Sequence, residues 1–200
     1  MKYRLSLIVL LLFAVVVPLY ADAPMAGRAG RAELRFLQGM VDHHQMALDM
    51  AGHCLEKAQD ARVKSICTGV IAAQTVEIEQ MRGWIKAWYG VDYAPIAMLP
   101  SILEAGKPSP HGGHGASVSP SDPVMMMGMF AGLTRLSGTA YDVAWLEAMV
   151  DHHDDALHMS ERLLRHDALH AETRTLAEAI ILVQTAEIAE MEALLVELMP

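Results

Sequence analysis

Phe36-Leu37-Gln38-Gly39-Met40-Val41-Asp42-His43-His44 decides how the chain is read, because it returns as Trp145-Leu146-Glu147-Ala148-Met149-Val150-Asp151-His152-His153. The match runs on beyond each copy. Ala47, Leu48 and Met50 return as Ala156, Leu157 and Met159. A later block, Gln74-Thr75, Glu77-Ile78 and Met81, returns as Gln184-Thr185, Glu187-Ile188 and Met191. Met149 stands 109 positions after Met40, and Gln184 stands 110 after Gln74, so the second copy carries one extra residue between its blocks. A repeat of this kind marks one supersecondary unit used twice. Apolar residues recur at spacings of three and four, Gly and Pro are scarce, and each run is longer than about 20 residues, which is a helical pattern. Helices are expected over 31–58, 61–89, 139–165 and 170–198. Thr139 with Asp142 three residues on reads as a weak variant of a capping box. The connections near Gln59 and Asp167 are short, so each copy is an antiparallel hairpin, 31–89 and 139–198. One hairpin cannot bury its own apolar stripe, whereas two bury each other's. The expected fold is an all-α four-helix bundle with pseudo-twofold symmetry.

Outside the repeat, the first 23 residues read as a signal peptide. Lys2 and Arg4 form a basic head, and Leu5 to Val17 is apolar apart from Ser6. A retained membrane anchor is the alternative, but the run is short for a bilayer-spanning helix, which needs about 20 residues. Ala21-Asp22-Ala23 resembles a cleavage site, with cleavage after Ala21 as the alternative because Pro24 follows Ala23. Export to a periplasm or beyond is expected, with no membrane attachment after the leader is removed. Residues 24–200 then form a single domain. Its linker, 90–124, contains Pro95, Pro100, Pro108, Pro110, Pro120 and Pro123, which exclude a long helix there. A Met-rich segment, 125–136, is expected to open a short helix over one end of the bundle. Across the 200 residues the net charge is −9, and no basic run offsets it, which argues against a nucleic-acid partner. Two Cys exclude a disulfide-dense scaffold and a four-Cys zinc module.

The chemistry lies in His and Met, which number 10 and 15. On a helical wheel Met149, His152, His153, Ala156 and Met159 share a stripe about 120° wide, and Met40, His43, His44, Ala47 and Met50 do the same. With a turn near residue 60 and a rise of about 1.5 Å per residue, His43 lies level with residue 76, close to Glu77. His152 and His153 lie level with Gln184 and Glu187. The bundle is therefore expected to hold a central layer of four His flanked by Met and backed by Gln and Glu. Imidazoles taken from water need partners. A metal ion supplies one, and thioether sulfur together with imidazole favours copper, Cu(I) or Cu(II). Candidate ligands are Met40, His43, His44, Met50, Met149, His152, His153 and Met159, with Glu77 and Glu187 holding the far ring nitrogens. A hydrogen-bonded His–Glu core without metal is the bland alternative. His111 and His114 with Met125, Met126, Met127 and Met129 form a second candidate site, suited to capturing Cu(I) without preformed geometry. Cys54 and Cys67 extend the inward stripes at similar distances from the turn. A disulfide is favoured for them in an oxidising compartment, and copper ligation is the alternative.

These spaced positions resemble a known family, the bacterial domain-of-unknown-function family three-zero-five. Its pattern is an aromatic-Leu pair, Met, His-His, Ala and Met, then Gln, Glu-Ile and Met. Met127-Gly128-Met129 and Ser137-Gly138-Thr139-Ala140-Tyr141-Asp142 resemble its Met-rich segment and the lead-in to its second helix pair. The resemblance covers residues 31–198 and implies a ferritin-like four-helix fold, export, and a link to copper binding and tolerance. Asp42 and Asp151 depart from its frequent Pro, Met46 and Asp155 from its small Gly, and Asp154 from its Gln. The function this implies is copper buffering, tolerance or delivery, with another envelope copper protein as a partner. A metal-free envelope interaction module is the first alternative. A di-metal oxidase is the second, and it is disfavoured because Glu147 and Glu77 are followed three residues on by Val150 and Gln80, not His. No enzyme activity is expected.

Overall fold

The computed structural model describes residues 23–95 and 132–199. They fold into four long helices, α1 (Gly27–Lys57), α2 (Ala61–Tyr89), α3 (Thr139–Leu164) and α4 (Ala171–Leu198), and the described residues contain no strand. The protein is thus an all-α bundle. The bounds follow the periodicity closely except at the start of α1, which begins at Gly27 and not near residue 31. The cause is local. The incoming segment folds back over α1, and a Cβ at Gly30 would meet the Met25 carbonyl oxygen at 1.7 Å. Only glycine admits so close an approach of backbone. The signal-peptide run, His111, His114 and Met125 to Met129 lie outside the described residues. The end of the Met-rich segment is described: Leu133 is buried against the turn end of the first hairpin, and Lys57 Nζ donates to the Thr134 and Leu136 carbonyls.

The connections explain why the hairpins stop where they do. Asp60 caps α2 by accepting from the Arg62 N–H, and Gly90, in the left-handed region at φ 69°, ends it. Arg174 donates to the His166 and Asp167 carbonyls just past the end of α3. The capping box expected at Thr139 does not form. Gly138 precedes α3, no side chain caps it, and Asp142 turns away from its own helix. Its buried carboxylate accepts from the backbone N–H groups of Gln59 and Asp60, in the turn of the other hairpin. Glu33, at the matching position of α1, reciprocates. It is fully buried and accepts from the His170 N–H at the N-terminus of α4. Each hairpin therefore supplies a carboxylate to the turn of the other. An unpaired donor in such a turn would cost about 1–3 kcal/mol.

α1 packs on α2, α3 on α4, and the hairpins meet through α1 and α3. The core falls into two apolar clusters. One joins Ala47, Met50 and Cys54 of α1 to Trp145 and Met149 of α3 and Met191 of α4. The other joins Phe36, Leu37 and Met40 of α1 to Ala156 and Leu163 of α3 and Ile180 of α4. The start of α1 thus lies beside the end of α3, so the two helices run antiparallel. The polar His layer lies between the clusters.

Candidate metal centre

His43, His44, His152 and His153 come from the adjoining faces of α1 and α3, and all four are buried. The stripe on each helix placed them inward, and the antiparallel crossing brings the pairs together. The His43 and His152 rings are 3.7 Å apart between centroids, and each lies 6.2 Å from its sequence neighbour. The outer partners come from the second helix of each hairpin. His44 Nε2 is 2.6 Å from Glu77 Oε2, and His153 Nε2 is 3.0 Å from Glu187 Oε2. His152 Nε2 is 3.0 Å from the His43 carbonyl oxygen.

These contacts fix the tautomers. A carboxylate or carbonyl oxygen only accepts, so His44, His152 and His153 carry a proton on Nε2 when neutral. The lone pair is then on Nδ1. In all three residues Nδ1 is buried without a hydrogen-bond partner. His43 has neither nitrogen hydrogen-bonded, although its Nε2 lies 3.4 Å from Asp155 Oδ2. The Oε1 atoms of Gln74 and Gln184 are also buried and unpartnered. Burial pushes the His43 pKa below its ordinary value, opposed by the neighbouring Asp155 carboxylate. Burial, followed by the nearby imidazoles, pushes His152 further down. Both rings are neutral near pH 7, the form in which a ring nitrogen binds metal.

Met40, Met50 and Met149 are buried within a turn or two of the His pairs. Met159 is only half-buried, with its methyl group near Gly39 and one side on a surface cleft. Met81 and Met191, which lie on the inward stripes but outside the candidate set, are fully buried too. Among the described residues no three His, Cys, Asp or Glu side chains already form a metal cage. The layer as folded is a hydrogen-bonded one, with imidazole lone pairs and thioethers as its free donors. Cys54 and Cys67 are joined as a disulfide across the first hairpin, with Cα atoms 6.3 Å apart. Neither thiol is therefore free to ligate.

Two buried carboxylates received no partner from the sequence, although Asp155 stood out as a departure from the family's small Gly. Asp155 sits beside His43, where the first copy has Met46, and only this departure from the repeat signalled it. Glu33 bonds the His170 ring at 2.6 Å and accepts from the Tyr89 hydroxyl at 2.5 Å, with Trp88 stacked on His170. No motif announces that cluster.

Comparison with known proteins agrees with this architecture. A fragment from Deinococcus radiodurans of the DUF305 family superposes with a TM-score of 0.62 at 27% identity, over 83% of this chain and 96% of that one. CopM in its Cu(II)-bound form superposes with a TM-score of 0.61 at 25% identity, over 82% and 96%. CopM has also been solved in Cu(I)-bound and silver-bound forms. The uncharacterized protein L153 of Acanthamoeba polyphaga mimivirus is 26% identical over 77 residues, 38% of this chain. The match spans 44% of L153, less than half its length. The sequence profile described as a domain of unknown function, DUF305, matches residues 33–195, including both helical hairpins and the His layer, and the chain belongs to that family.

Proposed function

We propose that this protein binds copper as cargo in the cell envelope, buffering it or handing it to another copper protein, and performs no enzymatic step. The observation that carries this reading is the buried layer in which three imidazoles have their Nε2 protons committed and their Nδ1 lone pairs free. An unsatisfied buried polar atom costs about 1–3 kcal/mol, and several occur in one layer. A soft ion would satisfy them, and thioethers adjoin. His43, His44, His152 and His153 would bind it with Met40, Met50, Met149 and Met159. Glu77 and Glu187 would orient the rings and raise their basicity. Copper as the metal is supported by CopM, which has been solved with that ion. Export is supported by the basic head and apolar run at the N-terminus.

The test is metal analysis of protein purified after growth with copper, zinc and iron all supplied. Copper should survive dialysis in the wild type and be lost when His152 and His153 are replaced by Ala. Retention in that variant would move the site to His111, His114 and the methionines from Met125 to Met129. A second reading rests on the His44–Glu77 and His153–Glu187 bonds: a metal-free layer that only sets hairpin register. Under it, the apo protein stays helical and rejects added Cu(I).

A further inference from the structure

At the far end of the second hairpin the charge pattern reverses. Arg28 and Arg35 on α1 face Arg162, Arg165 and His166 around the end of α3. Arg28, Arg162, Arg165 and His166 line a cleft of about 440 Å³. A second cleft of about 330 Å³ shares Arg162 and His166 and adds Arg35, with Phe36 and Met159 in its wall. Local structure explains the convergence. Positions 28 and 35 lie on one face of α1, Arg162 stands in the last turn of α3, and Arg165 and His166 follow directly after that helix.

Among the described residues no carboxylate pairs with these charges. None of the four arginines forms an ion pair or donates a hydrogen bond to a described residue, and no described carboxylate lines either cleft. The other arginines in contact have defined roles: Arg62 pairs with Asp60 and Glu197, Arg82 donates to the Tyr93 carbonyl, and Arg174 holds the carbonyls beyond α3. Because Arg174 serves those carbonyls, Arg162 and Arg165 are not needed there. Like charges gathered in one cleft repel, and an anion placed between them relieves the repulsion. In a chain of net charge −9 such a cluster is not part of a general basic surface.

We infer that the Arg28–Arg35–Arg162–Arg165 cleft is a binding site for a phosphate-bearing anion. Guanidinium forks match phosphate oxygens two at a time, which a carboxylate-lined or lysine-lined surface does not. The apolar wall at Phe36 and Met159 gives room for a nonpolar portion of the same molecule. A free phosphate compound and a phospholipid headgroup offer the same chemistry. The arginines that carry the site are not copper ligands, and only Met159 of its wall is shared with the proposed copper set.

Two probes separate the sources: inorganic phosphate followed by calorimetry, and co-sedimentation with phosphatidylglycerol vesicles against phosphatidylcholine vesicles, both at low ionic strength. The full chain is compared with R162Q/R165Q and with K64Q/K86Q, which removes the same charge elsewhere. The N-terminal apolar run is common to all three proteins. Binding of either probe is expected to weaken about tenfold or more in R162Q/R165Q and to stay within about twofold in K64Q/K86Q. Phosphate binding assigns a soluble anion; vesicle binding alone assigns a headgroup. Failure of the wild type to bind either probe, or equal weakening in both variants, overturns the site.

Discussion

The two hairpins carry nearly the same motif, yet they are not interchangeable. At the His layer they agree on the outer contacts, His44 with Glu77 and His153 with Glu187. They differ on the inner ones. His43 has the Asp155 carboxylate beside it, whereas the position matching Asp155 in the first hairpin holds Met46. Their turns differ as well. The first hairpin is closed by the Cys54–Cys67 disulfide, and the matching Leu163 and Ala177 are simply buried in the apolar cluster. The second hairpin is held by Glu33, His170 and Tyr89 where the first uses Asp142 on two backbone amides. A repeated sequence therefore fixes the path of the chain, while each copy secures it by different chemistry.

The largest break in that comparison should come at Glu33. Replacing Glu33 by Ala leaves the His170 N–H and ring and the Tyr89 hydroxyl without their acceptor in a buried site. It should cost about 3–5 kcal/mol in urea unfolding. A loss under 1 kcal/mol would mean that the cluster is not what holds the second turn. Removal of the disulfide by C54S/C67S should cost about 3 kcal/mol for a loop of this length. An unchanged midpoint would show that apolar packing suffices in the first hairpin, as it does at Leu163 and Ala177.

Asp142→Ala should cost about 2 kcal/mol, less than Glu33→Ala because only backbone donors are lost. If the two substitutions proved equal, the His170 ring would contribute nothing. Acid should act on the central layer. His43 and His152 have folded pKa values below the ordinary 6.5. The unfolded chain therefore takes up more protons in that range. Their neutral forms stabilise the fold above about pH 6.5, and this contribution declines as pH falls further. The urea midpoint should drop from pH 7 to pH 5, and His152→Asn should flatten that dependence. A slope unchanged in the variant would place the acid sensitivity elsewhere. The smallest effect is expected from Asp155→Met, which makes the two halves of the layer alike. It should change stability by about 1 kcal/mol or less while steepening the acid sensitivity, because His43 loses the one neighbour that favours its charged form.

Local pattern was enough for the helices and the inward faces. The period of the apolar residues gave four helices, the short connections gave two hairpins, and the wheel turned His43, His44, His152 and His153 inward. Counting rise from the turn even set Glu77 and Glu187 level with their imidazoles, because both quantities depend only on helix geometry. What the wheel could not supply was partnership across hairpins. Asp142 was read as a cap for its own helix because capping-box signals are local. In the folded chain its neighbours are the Gln59 and Asp60 amides, 83 and 82 residues away. Glu33 and the Arg28–Arg165 cleft were silent for the same reason, and Asp155 stood out only as a departure from the repeat, without a partner. A lone acid or arginine on a helix carries no periodic signal, and its role is set by whatever the facing helix presents. The secondary structure, the repeat and the faces that seek burial follow from backbone geometry and the solvation of single helices, and so were legible in the chain of residues alone. Only the antiparallel crossing of α1 and α3 decided which buried groups meet, because hydrogen bonds and charges act over a few ångströms between residues far apart in the chain.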